Sequence, residues 1–199
     1  MQNWIVMTFK ILENFPDKLL KDIQKQWYGF PQHPSGDAYH KSYAADEYQD
    51  YIFINKPHPL YDILFEYFNC DMYLTYLRNR PRSGNGPVHT DSKREACINI
   101  PIEVDLLNSS FYMARMHYKE PTVRKPNKDE PVNEGALRFE WEPEKYLFYN
   151  LKKPILFSTK QAHGAYNYSD NERVLLSVTF KNEVRDFQSV MNIIPKDWF

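Results

Sequence analysis

From Met72 to Lys181 the chain is a succession of short β-rich runs broken by Pro, Gly, Asn and Asp, the pattern of an all-β sandwich or barrel. The predicted strands are Met72–Arg78, Glu95–Val104, Phe111–Tyr118, Ala136–Trp141, Tyr146–Asn150, Pro154–Ser158 and Arg173–Lys181. With the segment around His163–Tyr168 they come to about eight, enough for the two packed sheets of a jelly roll. No internal repeat is visible.

Two helices precede these runs. Pro16 and Asp17 open the first, where proline suits the first turn and an acid suits the positive end of the helix dipole. Leu19, Leu20, Ile23 and Trp27 form its apolar stripe, and Pro31, Pro34 and Gly36 end it. The second runs from His58-Pro59 to about Asn69, with Leu60, Ile63, Leu64, Tyr67 and Phe68 on its buried side. A chain of 199 residues is expected to form a single domain. The expected division is a helical support region over 1–71, a β core over 72–181 and a C-terminal extension over 182–199.

Composition excludes some partners and no chemistry. Hydrophobic residues make up 42% and charged residues 26%, the balance of a folded chain and not of a disordered one. With 25 basic and 26 acidic residues the net charge is −1, so no global field draws in nucleic acid or an anionic membrane. The N-terminus lacks the pattern of a secretion signal and no apolar stretch is long enough to cross a bilayer, which predicts a cytoplasmic protein without a membrane partner. Cys70 and Cys97 are the only cysteines; they are expected to be reduced and are given no role.

The chemistry concentrates in a few positions. His89 and Asp91 are two apart, so on an extended chain both point to one face. They lie between the loop Arg80-Pro81-Arg82-Ser83-Gly84-Asn85-Gly86-Pro87 and the apolar run Ala96–Ile102, where loop meets sheet; a turn in which Asp91 caps the next segment is the simpler alternative. His163 follows an apolar strand and a short polar turn, and Gly164 beside it permits a close backbone approach. Ten residues on, Arg173 heads a strand on which Arg173, Leu175, Ser177 and Thr179 share a face. Inside the fold such an arginine requires an anionic partner; at the strand's outer end it would form an ordinary surface ion pair.

This combination resembles the iron(II)/2-oxoglutarate-dependent dioxygenase superfamily, with its His-X-Asp, distal His and basic residue about ten positions further on the next strand. The match covers roughly Met72 to Lys181. The resemblance implies a double-stranded β-helix, a cupin-like jelly-roll relative with helices buttressing its major sheet. It implies that His89, Asp91 and His163 bind Fe(II), that Arg173 pairs with the distal carboxylate of 2-oxoglutarate, and that O2 is the second cosubstrate. The activity implied is hydroxylation coupled to decarboxylation of 2-oxoglutarate to succinate.

One departure is local: Leu175 stands where many members carry a Ser or Thr, with Ser177 further along the same face. Tyr76 and Asn99 are the other candidates to assist the cosubstrate. Asn99, polar within an apolar run, has either a ligand or neighbouring backbone as its partner. Tyr146, Phe148 and Tyr149 are candidates for a dry wall around the site. Arg80, Arg82 and Arg94, with Lys93, are the candidate contacts to a small-molecule or peptidyl substrate, unless they are merely solvated. The polar, proline-spaced segment Tyr118–Gly135 is a hairpin connection or a lid. A zinc hydrolase and a non-catalytic jelly-roll module are the competing functional readings.

Overall fold

The structure is a computed structural model and describes residues 8–28, 39–44, 49–86, 88–91, 94–114, 122–123, 137–138, 145–181 and 184–199. Strands β1 (Phe9–Ile11), β2 (Tyr39–Ala44) and β3 (Gln49–Ile54) and helices α1 (Asp17–Tyr28) and α2 (Pro59–Phe68) come first. Next are β4 (Met72–Asn79), β5 (Gly84–Asn85), β6 (His89–Thr90), β7 (Ala96–Glu103), β8 (Ser109–Ala114), β9 (Thr122–Val123) and β10 (Leu137–Arg138). The chain closes with β11 (Lys145–Tyr149), β12 (Ile155–Ser158), β13 (His163–Asn167), β14 (Arg173–Phe180), α3 (Phe187–Ile193) and a 3-10 turn, Lys196–Trp198.

These strands form two sheets, paired antiparallel throughout the described residues. The major sheet has the order β1-β12-β7-β14-β4-β3-β2, and the minor sheet β11-β8-β13-β6-β10-β9 with β5 beside β13. Along the chain β4, β7, β12 and β14 join the major sheet while β6, β8, β11 and β13 join the minor one, so the path winds between the sheets. That is a double-stranded β-helix, the jelly-roll relative expected from the sequence.

Burial separates the two faces of the major sheet. Leu74, Tyr76, Ile98, Ile100, Val174, Leu176 and Val178 pack with Leu19 and Ile23 of α1, Leu60 and Leu64 of α2 and Val190 of α3 in one core. Leu77, Cys97, Ile155, Phe157 and Leu175 turn the other way and meet Phe111 and Met113 of the minor sheet. Each fully buried leucine or isoleucine in these cores contributes about 1.5–3 kcal/mol. Strands covered on both faces also lose the alternation that marks a half-exposed strand.

Both predicted helices form. The imidazole of His58 caps α2, its Nδ1 accepting from the Leu60 N–H at 3.2 Å. The N-terminal region is not only helical, however: β1 adds to one edge of the major sheet, and β3 and β2 extend the other. Along β3 the buried residues are Asp50, Ile52 and Ile54, so a buried acid interrupts the apolar alternation that would have marked the strand. At the C-terminus Trp198 is buried against Phe15 and Phe68, with ring centroids 4.7 and 5.7 Å away. Most of Tyr118–Gly135 lies outside the described residues, as do Lys93 and most of the predicted strand Ala136–Trp141. Among the described residues no helix is long and apolar enough to cross a membrane. Cys70 and Cys97 are free thiols.

Candidate metal centre

Strand β6 meets β13 through one cross-strand pair, His89 with His163, and their rings lie 4.5 Å apart between centroids. Asp91 follows β6 directly, and its Oδ1 is 3.8 Å from Nε2 of His89. One ligand atom from each of His89, Asp91 and His163 falls within 4.8 Å of the others. The distant halves of the motif therefore converge by strand pairing. His163 and Asp91 are buried, while the His89 side chain keeps 27% of its surface and marks the open side.

The turn between β12 and β13 holds both halves in place. The Asp91 N–H donates to the Thr159 carbonyl at 2.9 Å, and Lys160 Nζ donates to the Asp91 carbonyl at 3.1 Å. The Thr159 hydroxyl donates to the Arg94 carbonyl at 2.6 Å, and its N–H to the Glu95 carbonyl at 3.0 Å. Two residues on, the Gln161 carbonyl accepts from Nδ1 of His163 at 2.8 Å, while the Gln161 side chain donates to the Ala114 carbonyl. That bond assigns the proton to Nδ1 and leaves the Nε2 lone pair for a ligand, the arrangement in which an outer hydrogen bond orients a metal-binding imidazole.

The electrostatics favour the ligating forms. Burial, reinforced by His89, pushes the His163 pKa down to about 3, so the ring is neutral near pH 7. Burial alone would raise the Asp91 carboxyl. The Arg94 guanidinium, with smaller contributions from His163 and His89, more than offsets it and holds the group below the ordinary carboxylate value. Arg94 Nη2 is 2.7 Å from Oδ2 of Asp91, a close ion pair although not aligned as a hydrogen bond.

Around His163 the interior is apolar. Phe157 and Phe111 flank its ring at 5.0 and 6.0 Å. Of the aromatics of β11, Phe148 is exposed, Tyr149 packs edge-on to Phe9 at 5.9 Å and borders the cluster that holds Phe111 and Phe157, and the side chain of Tyr146 lies outside the described residues. Gly164 is held by a close approach, since a Cβ there would meet Oη of Tyr112 at 2.5 Å.

Arg173 opens β14 on the interior-facing parity shared with Leu175 and Ser177, and is 2% exposed. It is not at the surface. Its Nη1 donates to Oδ1 of Asn79, its cross-strand partner, at 2.5 Å, and the Asn79 amide donates on to Gln49. Asn99 and Ser177 are buried cross-strand partners on the same face. The Cys97 thiol lies 3.7 Å from Oδ1 of Asn99, and Arg94 Nη1 donates to the Ser177 hydroxyl at 3.3 Å.

Three sequence candidates lie elsewhere. Tyr76 points to the helix side of the major sheet and packs on Trp27 at 4.8 Å between centroids, so it is not brought to the triad. β4 has buried apolar residues on both faces, and pattern could not choose between them. Arg80 pairs with Asp50 at 3.2 Å, and the exposed Arg82 pairs with Asp170. Arg94, expected as a substrate contact, stands beside Asp91. The roles of Thr159 and Gln161 were not legible in a turn that showed only polarity.

No protein-family model matches the sequence, and no curated protein does. Solved structures are similar at low identity. A prolyl-4-hydroxylase from Pseudomonas putida is 9% identical with a TM-score of 0.48, covering 88% of this chain and 91% of that one. A 2OG-Fe(II) oxygenase family oxidoreductase from Burkholderia pseudomallei is 12% identical with a TM-score of 0.45, covering 80% and 75%. HygX from Streptomyces hygroscopicus, solved with nickel and 2-oxoglutarate bound, is 10% identical with a TM-score of 0.47, covering 86% and 81%. These are likenesses in the path of the chain.

Proposed function

We propose that the protein is an Fe(II)- and 2-oxoglutarate-dependent oxygenase acting as a hydroxylase. One observation carries this reading: two imidazoles and a carboxylate converge within 4.8 Å at the sandwich interior, and a buried arginine opens β14 on the interior face. Two histidines and one carboxylate suit Fe(II) with positions left open, and the donor set here fits, with His163 neutral and Asp91 ionised. His89, Asp91 and His163 would hold the iron. Bound iron and 2-oxoglutarate supply the oxidation, in which O2 converts 2-oxoglutarate to succinate and CO2 and delivers one oxygen atom to the substrate.

The chain's own residues bind, orient and shield. Arg173 presents a guanidinium suited to the far carboxylate of 2-oxoglutarate. Asn99 and Ser177 offer neighbouring polar groups on that face. Phe111 and Phe157 keep water from the His163 side of the site. The substrate is a small molecule or a peptidyl side chain. Protein loaded with Fe(II) under air is expected to form succinate from 2-oxoglutarate, and His89→Ala to form none. Recovery of all the 2-oxoglutarate from wild-type protein supplied with metabolite and peptide extracts would count against the proposal.

A further inference from the structure

We propose that Arg94 is a positioning residue of the metal centre: it occupies Oδ2 of Asp91 so that the carboxylate presents Oδ1 alone, and through Ser177 it ties that ligand to β14. The inference rests on reading His89, Asp91 and His163 as the metal ligands. The two carboxylate oxygens have different surroundings. Oδ1 faces Nε2 of His89 at 3.8 Å, on the side where the three donors converge, whereas Oδ2 faces the guanidinium at 2.7 Å. A carboxylate with both oxygens free can chelate, and a chelating Asp91 would take a coordination position that the cosubstrates need.

Arg94 is itself held at three points. Its carbonyl accepts from the Thr159 hydroxyl, Nη2 meets Asp91, and Nη1 donates to Ser177. The planar fork of an arginine can reach a carboxylate and a hydroxyl together from a fixed geometry, which a lysine ammonium does not reproduce. Ser177 lies four residues along β14 from Arg173, on the same face, so the metal ligand and the candidate cosubstrate anchor share one strand through Arg94. Solvated loop arginines make no such contacts, and this one keeps only 23% of its side-chain surface.

The test uses metal-free protein and Mn(II), with binding read from the electron paramagnetic resonance of free Mn(II), and Co(II) absorption spectra as a report on coordination. Arg94→Met is expected to weaken Mn(II) binding by about 10–100-fold, as loss of an outer-shell partner does, and to change the Co(II) spectrum. Arg94→Lys is expected to show a smaller loss. Wild-type Mn(II) affinity and an unaltered Co(II) spectrum in a folded Arg94→Met protein overturn the inference and leave the oxygenase reading standing. Where Arg94→Met does not fold, Arg94→Lys decides: weaker Mn(II) binding supports the role, and wild-type affinity overturns it. Wild-type protein that binds no Mn(II), or binds it undiminished in His89→Ala, overturns the metal-centre reading and this inference with it.

Discussion

His89 and His163 are direct cross-strand partners, with rings 4.5 Å apart, although they are far separated in sequence. The candidate metal site therefore exists only when β6 and β13 are paired, so metal binding would report on the fold. Saturating Mn(II) at about a hundred times its Kd is expected to stabilise the protein by about 2.7 kcal/mol. For a chain of this size that raises Tm by roughly 5–10 °C. The rise should vanish in His89→Ala and His163→Ala, and a persisting shift in either variant would place the metal elsewhere.

Gly164→Ala is expected to destabilise the protein by about 1–3 kcal/mol, through overpacking. The added Cβ would lie 2.5 Å from Oη and 2.7 Å from Cζ of Tyr112, which is fully buried and donates to the Gly86 carbonyl at 3.0 Å. The ring has little room to yield. Urea denaturation checks this, and an unchanged midpoint would show that the two strands relax apart freely.

The metal-free protein should lose stability as pH falls from about 6.5 towards 3. His163 has its folded pKa lowered to about 3, so below the ordinary histidine value the unfolded chain takes up a proton that the folded chain refuses. Stability from this group is complete above about pH 6.5 and declines by up to about 1.4 kcal/mol per pH unit below it. The lowered carboxyl of Asp91 adds a loss in the same direction at lower pH. Denaturant titrations between pH 7 and 5 in the presence of a chelator should show the decline, and a flat profile would mean that His163 is solvated.

Tyr76→Phe should leave 2-oxoglutarate affinity unchanged, because Tyr76 faces the helices and packs on Trp27. Tyr76→Ala should instead cost stability, about 3–5 kcal/mol for a buried aromatic. A weakened cosubstrate affinity in a stably folded Tyr76→Phe protein would contradict this placement.

What could be read from the sequence followed where a pattern has a single physical cause. The β runs that fall within the described residues, both helices, the His89-Asp91 pair and the parity of Arg173 with Ser177 all rest on periodicity, and they appear as expected. Periodicity failed where burial is two-sided or polar. On β4 both faces hold buried apolar residues, so Tyr76 could not be assigned, and on β3 the buried Asp50 hid a strand. Arg94 and Gln161 act from turns, where only the closed fold decides what a side chain or carbonyl meets.

The most direct test of the central claim is calorimetric titration of 2-oxoglutarate into Mn(II)-loaded protein, without O2 turnover to complicate it. Binding of one 2-oxoglutarate per chain is expected, dependent on the metal and weakened in Arg173→Ala. On the proposed reading, the buried guanidinium of Arg173 is the group that would hold the far carboxylate of 2-oxoglutarate. Absence of binding to the metal-loaded wild type, or equal binding with and without metal, would contradict the account.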